Sequence, residues 1–178
     1  MIRLFRRNKI NLWFESYCFK DYCMKRFSFY IALLLIITSC STKKNTFTRR
    51  SYHNLTAHYN AYFNGNEAVK NGVMTLEQAH KDNYTQIISI FPLGETKDAQ
   101  SVVPDMDRAV EKAGKVISKH SMEFKGVQYV KWIDDAYFMI GRANFYKKDY
   151  RKAYETFDYV TKKFNKNPIR FDAYLWMA

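Results

Sequence analysis

From residue 51 onward, apolar residues recur mainly three and four positions apart. That spacing places them on one face of a helix, so the pattern predicts a series of amphipathic α-helices. The first predicted helix presents an apolar stripe to the core at Tyr52, Leu55, Tyr59, Tyr62 and Phe63. The turn-forming triplet Asn-Gly-Asn at 64–66 is expected to end this helix. A second helix follows, and the two form an antiparallel hairpin; its stripe is Val69, Gly72, Val73, Leu76 and Ala79.

A long connection is predicted over residues 83–104, because a β-branched run is followed there by Pro92, Gly94 and Pro104. A third helix is expected from 105 to 120, and it carries Ala109, Ala113, Val116 and His120 on one stripe. Residues 121–125 break the pattern. A fourth helix is expected over 127–147, and a tight turn at 147–149 leads to a fifth helix, whose stripe is Tyr150, Ala153, Phe157, Val160 and Phe164.

The fourth and fifth predicted helices resemble one tetratricopeptide repeat (TPR), a helix–turn–helix unit of about 34 residues. The packing positions of that unit correspond to Tyr137, Ile140, Gly141, Ala153 and Phe157. The two small residues are expected where the helix backbones approach most closely, with the ring of Phe157 in the groove between them. Asn144 and Asn165 stand where the repeat usually has Tyr and Pro, which leaves the register open by one turn.

An internal match supports a repeated unit, since residues 135–141 align with residues 172–178 at an offset of 37. Chance recurrence of Asp-Ala-Tyr is the alternative. We therefore predict an all-α fold made of antiparallel helical hairpins of TPR-like solenoid type. Its parts are an N-terminal hairpin, long connection and third helix over 51–126, a TPR-like repeat over 127–167, and the start of a truncated next repeat over 168–178. The chain is expected to be the N-terminal fragment of a longer protein, because a half-repeat cannot bury its apolar face alone.

The N-terminal part has the pattern of a bacterial lipoprotein signal peptide. Lys25 and Arg26 precede an apolar run over 27–37, which is shorter than the roughly 20 residues of a membrane-spanning helix. The run ends in Ile-Thr-Ser-Cys, which resembles a lipobox. Cleavage is therefore expected between Ser39 and Cys40, with the Cys40 thiol taking the lipid. The signal peptide is assigned to 24–39, and the lipidated Cys with its polar tether to 40–50; an ordinary secretory leader is the alternative.

Residues 1–23 do not fit this leader, because Met24 stands directly before the basic pair. We predict translation from Met24, which makes 1–23 a mis-annotated upstream extension. A long basic n-region is the alternative.

Charge and chemistry argue against nucleic-acid binding and against catalysis. The net charge is +12, but residues 1–50 hold 11 Lys/Arg against 2 Asp/Glu, while residues 51–178 hold 18 against 15. The folded part is thus nearly balanced. His53 and His58 are five positions apart, so they do not form an i, i+4 metal pair. The sequence predicts no enzyme activity, metal, cofactor or small-molecule substrate.

Two stretches resemble the start of the large tetratricopeptide lipoproteins of Bacteroidetes, the SprE/PorW type: residues 49–64 (RRSYHNLTAHYNAYFN) and 104–113 (PDMDRAVEKA). The resemblance covers most of residues 40–178. It implies an outer-membrane lipoprotein of the type IX secretion system, which is also needed for gliding motility. It also implies that the repeats are a scaffold for periplasmic ring and inner-membrane motor proteins.

The expected function is therefore that of a non-enzymatic scaffold, held at the outer membrane by its N-terminal lipid. It is expected to face the periplasm, because the residues after Cys40 lack the acidic side chains of a Bacteroidetes surface-export signal. The alternative is a generic TPR lipoprotein that binds another cell-envelope client, such as the outer-membrane assembly machinery.

Overall fold

A computed structural model describes residues 44–82, 84–85, 87–88 and 96–178 of the chain. The predictions about Met24, the signal peptide, Ser39 and Cys40 lie outside the described residues. The described residues are mostly helical, as the sequence predicts for an all-α protein. The elements in chain order are α1 Phe47–Thr56, a π-helical segment Ala57–Tyr62, α2 Phe63–Ala79, α3 Thr96–His120, β1 Glu123–Phe124, β2 Val127–Gln128, α4 Trp132–Tyr146, α5 Tyr150–Lys163 and α6 Ile169–Met177.

The first helix does not end at residues 64–66, so the predicted turn there is wrong. Helix α1, the π-helical segment and α2 follow one another without a break from Phe47 to Ala79. Gly65 is buried inside this helix. A Cβ atom at Gly65 would lie 2.8 Å from Met139 Sδ and 3.2 Å from Lys112 Cβ. The glycine therefore serves close helix packing, and the first antiparallel pair is formed by α2 and α3 instead.

The π-helical segment has a physical cause in the spacing of the buried residues. His53 and Ala57 are buried, Ala61 packs against the core, and Gly65 is buried, so the inward positions are four residues apart three times in succession. In an α-helix with 3.6 residues per turn, such a series drifts steadily away from the core. A wider i→i+5 turn absorbs the drift and returns Gly65 to the buried face.

The predicted inward stripe of this helix is also wrong, because four of its five residues are exposed. Tyr52, Leu55, Tyr59 and Phe63 point to solvent, and only Tyr62 is partly covered. The face that packs on α3 carries mostly smaller side chains, so the backbones approach closely. The large side chains are left on the opposite side.

Helix α3 begins at Thr96, nine residues earlier than predicted, and contains Pro104 in its interior. Ala99, Val102 and Met106 are buried, so the 3- and 4-residue spacing continues upstream of the proline. Pro104 itself is exposed. The carbonyl that loses its helical hydrogen bond belongs to Gln100, which is also exposed, so water can replace the missing donor.

A short β-hairpin stands where the sequence predicts the start of the fourth helix. Strands β1 and β2 pair antiparallel, and the turn residues Lys125 and Gly126 both have positive φ, 52° and 77°. That conformation is typical of a two-residue type I′ turn. Helix α4 therefore begins only at Trp132.

The side chain of Asn54 ties α1 to the residues that follow the hairpin. Asn54 Nδ2 donates to the Tyr129 carbonyl over 3.0 Å, and Lys131 N donates to Asn54 Oδ1 over 2.8 Å. Within the loop, Gln128 Oε1 accepts from Met122 N over 2.9 Å. These bonds satisfy backbone N–H and C=O groups in a connection between two helices, where no intrahelical hydrogen bonds are available.

One continuous core joins the helices, with each packing against the next in sequence from α2 to α6. The largest side chains that are fully buried come from α2, α3, the hairpin flanks and α5, namely Leu76, Met106, Met122 and Phe157. The tight turn predicted at 147–149 is confirmed, because α4 ends at Tyr146 and α5 begins at Tyr150. Asp149 caps α5, its side chain accepting from Lys152 N.

Candidate protein-binding surface

The α4–α5 hairpin brings Gly141 and Phe157 together. A Cβ atom at Gly141 would lie 2.7 Å from Phe157 Cδ1 and 2.8 Å from Cζ, with Cε1 closer still. Ala153 and Phe157 are almost completely buried. Ile140 packs against the core from a partly buried position. The ring of Phe157 is therefore held directly over the α4 backbone at the one position of the contact that lacks a side chain.

Tyr137 lies one turn before Gly141 on α4 and packs on a different group of rings. Its ring centroid is 4.8 Å from that of Tyr159 and 6.0 Å from that of Phe164. Burial, followed by a hydrogen bond with Tyr159, raises the pKa of Tyr137 to about 12. A shallow depression of about 310 Å³ lies here, lined by Tyr137, Tyr159, Glu155 and Thr156.

Helix α6 repeats the packing of α4 at the matched positions. Ala136 and Ala173, which are 37 residues apart, are both fully buried. Trp176 of α6 then meets the rings of α4 and α5, with centroid distances of 5.2 Å to Phe145 and 6.0 Å to Phe157. The two helices therefore use the same small residue for close contact.

Five side chains from the π-helical segment, α4 and α6 interact electrostatically or through ring contacts. We call this set the inner face. It consists of Tyr62, Asp135, Arg142, Asp172 and Trp176. Asp135 acts electrostatically on Tyr62 on one side and is influenced by Asp172 on the other. The Arg142 guanidinium lies 5.4 Å from the Trp176 ring centroid, and Arg142 Nε is buried without a hydrogen-bond partner.

The inner face is acidic, and its members other than Asp172 are partly buried. Burial, then the charges of Asp134 and Asp172, raises the pKa of Asp135 to about 6. Burial and Asp135 raise the pKa of Tyr62 to about 12. Asp134 accepts a hydrogen bond from Asn167 Nδ2 over 2.7 Å. A positive charge placed near Asp135 and Asp172 would lower the cost of ionising the partly buried Asp135 carboxyl group.

An aromatic stack joins this face to the first helix. The imidazole of His58 lies parallel to the indole of Trp132, with 3.8 Å between the ring centroids and an interplanar angle of 13°. The Tyr62 ring is 5.1 Å from the same indole. The stack fixes the π-helical segment against the start of α4.

A histidine pair that the sequence pattern does not reveal connects α1 to the end of α3. His53 Nδ1 and His120 Nδ1 are 3.1 Å apart, and Thr56 Oγ1 is 3.3 Å from the same His120 atom. His53 is 5% exposed, and its Nε2 is buried without a partner. A hydrogen bond between the two Nδ1 atoms needs one proton and one lone pair, so at least one ring must be neutral. The residues are 67 positions apart, and no local spacing joins them.

Acid is expected to destabilise the protein through this pair. Burial, then Arg49, lowers the pKa of His53; burial, then His53 and Lys119, lowers the pKa of His120. Both pKa values lie below the ordinary 6.5. The contribution of the pair to the free energy of unfolding is therefore fully present above pH 6.5 and is lost as the pH falls below that value. Between about pH 7 and about pH 5 the pair should therefore lower the melting temperature, whereas Asp135, whose raised pKa is about 6, should contribute in the opposite direction as it takes up a proton.

The matched variants are His120→Asn and His80→Asn. Asn keeps a polar group near the Nδ1 position but does not protonate in this range. The melting temperature of His120→Asn should therefore fall less on acidification over this range than that of the unmodified protein. His80 is exposed and lies outside the pair, so His80→Asn controls for the removal of one histidine. Equal slopes for the His120 variant and the unmodified protein would contradict the assignment.

Within the described part of the chain, no three or more His, Cys, Asp or Glu side chains come together as a possible metal site. Among the helices of the same residues, none is both long enough and apolar enough to cross a membrane. No protein-family model matches the chain, and no curated protein matches it significantly.

Proposed function

We propose that the protein is a non-enzymatic scaffold, anchored to the outer membrane by lipid on Cys40 and facing the periplasm. Its helical hairpins are TPR-like units that bind subunits of the type IX secretion system, including periplasmic ring and inner-membrane motor proteins. By this function the protein supports both protein secretion and gliding motility.

The observation that carries the scaffold proposal is the repeated packing of α4 and α6. Ala136 and Ala173 are buried at matched positions, and the α4–α5 hairpin closes around Gly141 and Phe157. Repeats of this kind stack into an extended array whose exposed face is available to a partner. The inner face offers polar groups to a partner, because the pKa of Asp135 is raised by burial and Arg142 Nε is buried without a hydrogen-bond partner.

The place of action rests on sequence features. The Ile-Thr-Ser-Cys motif that ends at Cys40 supports the lipid anchor, and the stretches 49–64 and 104–113 support the secretion system. The lack of acidic residues directly after Cys40 supports the periplasmic orientation.

Photo-crosslinking in living cells tests which face binds the machinery. A photoreactive residue at Asp172 sits at the exposed edge of the inner face, and one at Glu155 sits on the side of the α5 depression. Both native residues are acidic and exposed, so the two replacements are matched. Irradiation should link Asp172, but not Glu155, to a secretion-system subunit identified by mass spectrometry.

The opposite pattern, with secretion subunits linked only from Glu155, would reject the inner face as the binding surface. Adducts from Asp172 that contain only outer-membrane assembly proteins would reject the type IX assignment and support the generic lipoprotein instead.

A further inference from the structure

The outward side of the first helix carries an exposed apolar stripe that the scaffold function does not use. Its members are Tyr52, Leu55, Tyr59 and Phe63, which are 45%, 60%, 64% and 52% exposed. They lie three or four positions apart, on the side opposite buried His53 and Ala57. The stripe extends over about 17 Å of helix, at a rise of about 1.5 Å per residue.

The segment of the chain that carries the stripe has basic residues and no acidic ones. Residues 41–66 contain four basic residues, at positions 43, 44, 49 and 50, and no Asp or Glu. The first turn of α1 carries no acidic residue. The Tyr side chains combine an apolar ring with a polar tip, and such side chains are enriched at the boundary between lipid headgroups and acyl chains. Apolar and aromatic residues beside basic ones are typical of helices that lie in a membrane interface.

The stripe is also close in sequence to the expected anchor. Seven residue steps separate Cys40 from Phe47, where α1 begins. A fully extended chain of that length spans about 25 Å at most. A lipid on Cys40 would therefore hold α1 within about 25 Å of the membrane surface.

We propose that the stripe Tyr52–Leu55–Tyr59–Phe63 docks α1 and the π-helical segment onto the phospholipid surface beside the anchor. This inference rests on the proposed lipidation of Cys40. The buried side of the same helix stays packed on α3, so docking would fix the orientation of the repeats relative to the membrane.

A second copy of the chain is a poorer occupant, because the stripe is small. Aromatic side chains bury about 150–250 Å² each, and these four side chains are roughly half exposed, so they offer on the order of 400 Å². A stable protein interface needs about 800 Å² from each partner. A single short lipid-facing stripe needs no such area, because the lipid anchor supplies the effective concentration.

Fluorescence of the lipidated protein in vesicles tests the docking. The protein is purified from membranes with Tyr59→Cys or Leu175→Cys, and the new thiol is labelled with an environment-sensitive dye. In the lipidated form the Cys40 thiol is blocked, and cleavage removes Cys18 and Cys23, so the label is unique. Leu175 is exposed on α6 and is the matched control. The vesicles contain phosphatidylethanolamine and phosphatidylglycerol, with or without brominated acyl chains.

The label at position 59 should shift to the blue and lose most of its emission in brominated vesicles, while the label at position 175 should do neither. Mass spectrometry of the N-terminal peptide is read first, and a peptide without lipid rejects the anchor and this docking together. Lipid on Cys40 with equal quenching at both positions rejects the docking alone. A blue shift at position 59 without quenching means that protein covers the stripe, and it also overturns the proposal.

Discussion

Replacing Gly141 by Ala is expected to destabilise the protein by about 1–3 kcal/mol, because it overpacks the α4–α5 contact. Helix propensity alone favours the opposite result, since Ala stabilises a helix relative to Gly by about 1 kcal/mol. The geometry decides between these effects. The new Cβ would lie within 2.8 Å of ring atoms of Phe157. That residue is only 1% exposed, and its ring also packs against Phe138 and Trp176. From the repeat positions alone, replacing one small residue by another is expected to have a mild effect on stability. The contact with Phe157 predicts a clear loss of stability instead.

Gly114→Ala is the matched control, because Gly114 also lies inside a helix, but a Cβ atom there would have no atom within 4 Å apart from its chain neighbours and the adjacent backbone of its own helix. That variant should gain about 0.5–1 kcal/mol. Gly141→Leu and Ala153→Leu should lose more than Gly141→Ala. Urea unfolding followed by circular dichroism measures all four variants. Equal stability of the two Gly→Ala variants would contradict the close contact.

The coupling partner can be identified by a double-mutant cycle. Phe157→Leu removes part of the ring that blocks the new methyl group, so Gly141→Ala should cost less in the Phe157→Leu background than alone. A coupling energy of about 0.5–3 kcal/mol is expected for residues in direct contact. Additive effects would show that Gly141 is restricted by something other than Phe157.

Cys40→Ala is expected to abolish lipid attachment completely. The thiol is the nucleophile that takes the diacylglyceryl group, and Ala has no atom that can replace it. Because cleavage follows lipid transfer, the variant should accumulate as the uncleaved precursor. Growth with labelled palmitate, followed by immunoprecipitation, measures both effects in one gel.

Cys18→Ala and Cys23→Ala are the controls for this experiment. If translation starts at Met24, both changes fall outside the protein and should leave labelling and mobility unchanged. Labelled lipid on the Cys40→Ala variant would show that the anchor is elsewhere or absent.

The helical class and the α4–α5 hairpin are predictable because their signals are local. Ala153, Phe157 and Val160 occupy one stripe in the sequence and are buried together. The turn at 147–149 is likewise encoded by neighbouring residues, and the structure places Lys148 there at a positive φ of 64°.

Hydrophobic periodicity predicts the wrong inward face for the first helix, because the packing there selects small side chains and not the most hydrophobic ones. Tyr52, Leu55, Tyr59 and Phe63 form a regular apolar series, yet the core accepts Ala57 and Gly65 instead. Close approach of α3 requires small residues, and hydrophobic periodicity does not measure that requirement. Asn54, the residue that joins α1 to the residues after the hairpin, bonds to groups more than 70 positions away, so its local pattern gives no sign of this role.

The remaining differences are the extent of α3 and two sets of contacts between separate helices. Pro104 can stay within α3 because the buried series of Ala99, Val102 and Met106 runs past it. That series is present in the sequence, but a proline is ordinarily the stronger signal for a helix boundary. The pairing of His53 with His120 and the meeting of Tyr62, Asp135 and Asp172 depend on the tertiary packing of separate helices, so no spacing rule predicts them.

Secretion by a strain that lacks the gene tests the proposed scaffold most directly. Cargo that carries a type IX signal should remain in the periplasm of the deletion strain, while Sec-dependent export to the periplasm continues. Secretion should return with the wild-type gene. If cargo is secreted normally by a clean deletion strain, the protein is not a component of the type IX machinery.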